Sequence, residues 1–176
     1  MELPEATAVL ARTPDVLDAL LAGVPAAWVH RDDGPGTWSA YDIAGHLVEG
    51  DAANWLPRIR SILSHGTERT FTPFDRLAML GREREPVTDL LARFRAGRQR
   101  CLAELSTLDI SGTDLERRGR HPEFGEVTLA QVVAAWVAHD LTHTAQAAEV
   151  LARRYRADVG PYRAYLPALD RVAASE

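Results

Sequence analysis

Two histidines four residues apart, His139 and His143, lie inside the apolar run AWVAHDLTHTAQ. On a helix, i and i+4 share one face, so the two imidazoles can reach a single divalent ion. On a helical wheel at ~100° per residue, Leu129, Val132, Val133, Trp136, Ala147, Val150 and Leu151 form one stripe. His139, Asp140 and His143 fall in that same stripe, whereas Leu141 points away. The helix is therefore apolar toward the core at both ends and polar toward it in the middle. A buried imidazole with no partner costs ~1–3 kcal/mol, and two protonated rings one turn apart repel. A divalent ion removes both penalties by taking a lone pair from each ring. The pair alone also admits a plainer reading, in which each ring bonds a backbone carbonyl or a carboxylate.

A third histidine strengthens the metal reading. His46 lies in YDIAGHLVEGD, beside Ile43 and Leu47, and Gly45 before it leaves room for a neighbouring side chain. Three imidazoles from two helices make a half-open site, with one or two positions left to water or substrate. Closed structural zinc sites use four protein ligands, often thiolates, and the single cysteine here, Cys101, excludes such a set. Three residues have the chemistry of catalytic candidates. Glu49 shares the face of His46 and is suited to act as a base or an occasional ligand. Asp140 is placed to orient an imidazole through its distal N–H. His121, before Pro122, is placed to line the mouth of the site. His30 and His65 read as a loop residue and a helix-end cation. Cys101 reads as a small buried apolar group.

The elements that must position these residues read as helices. Thr13 with Pro14 marks a start, with the hydroxyl as N-cap, and Gly23 and Pro25 mark the end. A short helical piece around Pro4 to Leu10 precedes it. Ser39 with Asp42 forms a capping box, and Trp38 with Ile43 a hydrophobic staple, for a second long helix that continues through Ile62 and Leu63. Pro57 should bend that helix. Residues 64–85 read as a broken connection with room for a short helix in FTPFDRLAML. The third long helix starts near Pro86, with Val87, Leu90, Leu91, Phe94, Cys101 and Leu105 at helical period. RRGRHPEFGEV reads as a turn-rich loop. Thr128 and Gln131 then form a capping box for a fourth helix running to about Tyr155. A tail with Pro161 and Pro167 folds back as a short helix. The strand signal is weak everywhere. The expected fold is all-α, an antiparallel four-helix bundle with short extra helical segments at both ends, as one domain over residues 1–176.

Composition narrows the class. The net charge of −5 and pI near 5.7 offer nothing to nucleic acid or an anionic membrane. All 20 basic residues are arginine, which reads as a coding bias. The start lacks a basic region followed by an apolar one, so no signal peptide is expected. The longest apolar stretch, ALLAGVPAAWV, is interrupted by Gly23 and Pro25 and is far short of the ~20 residues that span a bilayer. One cysteine excludes an internal disulfide and suits a cytoplasmic location.

GTWSAYDIAGHLVEGD (36–51), GRHPEFGEVTLAQVVAAWVAHDLTHTAQ (119–146) and YRADVGPYRAYL (155–166) resemble the DinB-like family, also described as YfiT-like metalloenzymes. The resemblance implies a four-helix bundle and a divalent metal on His46, His139 and His143. Zinc or nickel is the expected ion, with iron or manganese as alternatives. Some members are similar to thiol-dependent S-transferases that use bacillithiol or mycothiol, and to a maleylpyruvate isomerase that uses mycothiol. It therefore implies a small electrophilic substrate, a low-molecular-weight thiol as co-substrate, and a homodimer. A metal-dependent hydrolase on the same site is one alternative. A stress-induced metal-containing binding protein without turnover is the other. A di-iron carboxylate site needs paired Glu-x-x-His helices, and Asp140-x-x-His143 is the nearest approach.

Overall fold

Apolar residues at helical spacing give seven α-helices in the computed structural model, which describes residues 2–171. They are α1 (Leu3–Leu10), α2 (Thr13–Leu21), α3 (Ala26–Val29), α4 (Ala40–Ala53), α5 (Trp55–His65), α6 (Val87–Thr107) and α7 (Leu129–Ala152). The bundle consists of α2, α4 continued by α5, α6 and α7. Helix α4 packs on α6 and α7, α2 packs on the same two, and α5 packs on α7. The extra segments at the ends are α1, lying on α7, and 3-10 turns over Gly160–Tyr165 and Pro167–Leu169, which fold back and bury Leu169. Among the described residues no helix is long and apolar enough to cross a membrane.

Two apolar clusters make the core. One gathers Leu17, Leu21, Ile43, Leu47, Leu90, Leu91 and Phe94 with Ala147 and Val150 of α7. The other gathers Leu10, Ile59, Ile62 and Leu105 with Leu129, Val133 and Trp136 of α7. The polar stretch of α7 at residues 139–143 lies between the two. Both histidine-bearing helices start on complete capping boxes. Asp42 N–H donates to Ser39 Oγ at 3.2 Å and Ser39 N–H to Asp42 Oδ2 at 3.0 Å. Gln131 N–H donates to Thr128 Oγ1 at 3.1 Å and Thr128 N–H to Gln131 Oε1 at 2.8 Å.

Several local expectations are corrected. The second long helix breaks between α4 and α5 at Asn54 (φ −108°, ψ −66°) instead of bending smoothly. Pro57 has no N–H for the carbonyl of Ala53 and its ring crowds that carbonyl, so the fault appears where the lost bond would have ended. Thr13 makes no cap; Arg12 keeps helical dihedrals between α1 and α2, and Thr13 is buried. The short helix in the 64–85 connection is a single 3-10 turn over Ala78–Gly81. Helix α7 ends at Ala152 and a 3-10 turn carries the chain to Tyr155.

The turn-rich loop is an antiparallel hairpin of β1 (Arg118–His121) and β2 (Gly125–Thr128), with Gly125 at φ +73° closing the turn. Its strands are too short to show an apolar alternation. Docking holds it instead: Phe71 N–H donates to Arg120 O at 2.9 Å. A Cβ on Gly119 would lie 2.6 Å from both Ile62 Cγ1 and Phe71 Cζ. Gly119→Ala is thus expected to destabilise the fold by ~1–3 kcal/mol, lowering the urea midpoint followed by circular dichroism. An unchanged midpoint would show that the hairpin is not seated against α5 in this way.

Candidate metal centre

The site is set by how closely α4 can be approached. Gly45 lets the Ala78–Gly81 turn dock: a Cβ there would be 3.1 Å from Met79 Cβ. That docking brings the Arg76 carbonyl to 3.2 Å from His46 Nδ1. One turn on, Gly50 admits the partners from the other side. A Cβ there would meet Trp55 Nε1 at 3.2 Å and His139 Cε1 at 3.9 Å.

His46, His139 and His143 converge, with one potential ligand atom from each within 4.8 Å of the others. Their ring centroids are 4.4 to 5.0 Å apart. His46 is buried, and the other two are half-buried. Burial, reinforced by His143 and His139, pushes the His46 pKa down to about 3. The ring is therefore neutral at physiological pH, the state in which it offers a lone pair.

The second nitrogens show which tautomers these rings need. His46 Nδ1 faces a carbonyl and must carry its proton, leaving the lone pair on Nε2. His143 Nδ1 lies 2.7 Å from Gln146 Oε1, which calls for the same tautomer. His46 Nε2 and His139 Nε2 stand 2.9 Å apart, so a neutral His139 ring without an ion places its one proton on Nε2. Its bare Nδ1 then faces Asp140 Oδ1 at 3.8 Å, and both of these buried atoms have no hydrogen-bond partner. A cation between the Nε2 atoms resolves the conflict. His139 then bears its proton on Nδ1, directed at the carboxylate, the usual arrangement behind a metal-bound imidazole. The residues fit a divalent metal.

Sequence reasoning missed what lies behind Asp140. Arg98, on α6, is buried and donates to Asp51 from Nε and Nη2 at 2.9 Å each. Its Nη1 donates to Asp140 Oδ2 at 2.5 Å and to Leu10 O at 2.7 Å. Burial works against ionisation of Asp140, but Arg98, together with His139 when its Nδ1 carries a proton, outweighs it and holds the carboxyl below its ordinary range. For Asp51, burial prevails and pushes the pKa up to about 6. The signal was present in the sequence: the α6 stripe runs Leu91, Phe94, Cys101, Leu105, and position 98 fills its gap with an arginine.

The cluster opens into a cleft of about 320 Å³ whose walls include Trp38, Trp55 and Phe74. Trp55 packs edge-on against His139 at 5.1 Å and Trp38 lies 4.8 Å from His46, centroid to centroid. His121 also lines the cleft, stacked on exposed Phe124 at 4.5 Å. Its Nδ1 accepts the N–H groups of Glu123 and Phe124, both at 3.2 Å, and burial with nearby Arg58 lowers its pKa. Glu49 lies elsewhere. It is buried against Arg82, with contacts of 2.7 and 2.9 Å, and does not line the cleft. His30 sits against Tyr41 and Arg84, and His65 lines a separate cavity.

A helical bundle with three inward-facing histidines from two helices is the class that fold and site define. The DinB superfamily model matches residues 10–147, and the chain belongs to that superfamily. Among solved structures it is similar to YfiT from Bacillus subtilis, described as "a probable metal-dependent hydrolase with an unusual four-helix bundle topology". The TM-score is 0.75 at 19% identity, covering 88% of this chain and 90% of that one. No curated protein sequence matches.

Cys101 stands apart from the site, its Sγ 3.4 Å from Asp51 O. Burial, then the Asp51 charge, pushes its thiol up to about 11. At pH 8 its thiolate fraction should fall ~100-fold below that of an ordinary cysteine. Iodoacetamide should label it correspondingly slowly, the rate rising until about pH 11; labelling at the rate of free cysteine would contradict this placement.

Proposed function

We propose that this protein is a divalent-metal-dependent enzyme in which His46, His139 and His143 hold the ion, and that it acts as a hydrolase on a small molecule. The observation that supports the reading is the unpartnered Nδ1 of His139 facing Asp140, which a cation on Nε2 relieves by leaving the ring's proton on Nδ1. A divalent ion held by three imidazoles supplies a Lewis acid that lowers the pKa of a water or thiol at its remaining position. Arg76 O and Gln146 Oε1 hold the His46 and His143 rings in the tautomer whose lone pair is on Nε2. Asp140 serves the same end for His139. Trp38, Trp55 and Phe74 keep bulk water from the reacting group. His121 is the titratable group at the mouth and is assigned to proton exchange with the leaving group. The description of YfiT as a metal-dependent hydrolase supports hydrolysis. Transfer to a low-molecular-weight thiol would use the same histidines, with the thiol in place of water, and zinc and nickel suit an imidazole set equally.

Purified without a histidine tag, the protein should bind close to one equivalent of zinc or nickel by elemental analysis and gain thermal stability with it. His46→Ala and His143→Ala should each lower the affinity by at least ~100-fold while keeping the helical circular dichroism. Less than about 0.2 equivalents after reconstitution, or full retention in both variants, would overturn the metal assignment. In the loaded protein, ester hydrolysis independent of added thiol supports the hydrolase; turnover that requires a thiol favours transfer.

A further inference from the structure

One cation in the cleft wall has no carboxylate partner among the described residues. Arg58, on α5 one turn beyond Trp55, is half-buried and lines the histidine cleft. The other wall arginine, Arg76, has Glu123 at 3.9 Å. Around the Arg58 guanidinium no carboxylate of the described residues lies within 4 Å. Its Cζ lies over the face of Phe71, 5.6 Å from the ring centroid. Its Nε is buried with no hydrogen-bond partner. Burial alone lowers its pKa, with no acidic group offsetting the loss of solvation. Four residues earlier on the same wall, Asn54 Oδ1 is likewise buried and unpartnered. Unpaired polar atoms of this kind each cost ~1–3 kcal/mol in the free protein. A ligand that brings an acceptor to the Arg58 guanidinium recovers the arginine's share of that free energy, whereas an arginine in a structural role is commonly paired with an acid. Fourteen of the 20 arginines reach a carboxylate among the described residues, Arg60, Arg82, Arg84, Arg98 and Arg153 among them.

We propose that Arg58 is the substrate-anchoring residue of the cleft and that the substrate is a small molecule carrying one carboxylate, held by this guanidinium while its reacting group lies over the three histidines. This rests on the enzyme reading above and names its substrate class. A single carboxylate fits because, of the two arginines in the wall, Arg76 is matched by Glu123 and Arg58 alone has no carboxylate of the described residues beside it. A planar guanidinium pairs two N–H groups with the two oxygens of a carboxylate. The about 320 Å³ cleft and its aromatic walls suit a compact apolar body between the anion and the histidines. Arg58 also borders an adjoining cavity of about 280 Å³, which contains none of the three histidines. Its charge is nonetheless felt at His121 in the histidine cleft.

The test uses benzoate and its neutral counterpart benzamide, titrated calorimetrically into the full-length protein both stripped of metal and zinc-loaded. Working first on the stripped protein keeps a carboxylate from reporting direct contact with the ion. Benzoate should bind stripped wild-type protein at least ~10-fold more tightly than benzamide. Arg58→Gln should abolish that preference, with no loss of melting temperature and with its zinc stoichiometry unchanged. Arg58→Lys should retain a weaker preference, and Arg60→Gln, paired with Glu104 away from the cleft, should keep it whole. Equal binding of the two probes, no saturable binding of benzoate, or an anion preference that survives Arg58→Gln would overturn the assignment. Because the stripped protein carries the readout, failure to bind zinc would reject the metal centre and leave the anion site to be judged separately.

Discussion

A single buried guanidinium ties the bundle together at the level of the site. Arg98 reaches from α6 to Asp51 of α4, Asp140 of α7 and the last carbonyl of α1. Removing one partner of such a buried pair commonly costs ~3–5 kcal/mol, because the remaining charge is left without solvation. The rotation of α4 and α7 about their axes, which aims His46 and His139 at one point, is thereby fixed by a polar contact that tolerates little sliding. Apolar packing alone would be more forgiving. One arginine against two carboxylates also leaves a formal excess of one negative charge behind the histidines when both acids are ionised. That is a suitable background for a dication held by neutral ligands.

The histidine cluster inherits its shape from this frame and from two glycines. Gly45 lets the Met79 turn press close enough for Arg76 O to hold His46, and Gly50 lets His139 and Trp55 approach the same helix. Each imidazole has an acceptor near its Nδ1, a carbonyl, an amide oxygen or a carboxylate. With an ion bound, the three lone pairs would face inward and the protons outward, and the neutral state of His46 persists far below physiological pH. Trp38, Trp55 and Phe74 form walls around that point, and Arg58 lies in the same cleft with no carboxylate of the described residues beside it.

Much of this was legible in the sequence because the relevant signals are local. Both capping boxes, the α7 stripe with its polar middle, the outward face of Leu141 and the space at Gly45 follow from spacing within one helix. The three-histidine cluster followed from two such stripes and a count of cysteines. The features that escaped depend on contacts between distant segments. The hairpin has no alternation of its own and is held by Phe71 and Ile62 from elsewhere in the chain. Glu49 shares a helical face with His46, yet Arg82 from a loop takes it as a partner. Thr13 precedes a proline like an N-cap, but α1 runs into α2 with helical backbone at Arg12, leaving no extended residue for a cap. Arg98 was visible only as a gap in a stripe, and nothing local says that an arginine there would be buried.

The central claim is that three imidazoles from α4 and α7 form a metal site. X-ray absorption at the zinc edge of the reconstituted, untagged protein tests it most directly. The expected spectrum shows three histidine nitrogens at ~2.0–2.1 Å, recognised by imidazole multiple scattering, with any further ligand a light atom. One imidazole should disappear in His139→Ala. A sulfur neighbour at ~2.3 Å, or fewer than three imidazoles in the wild-type protein, would contradict it.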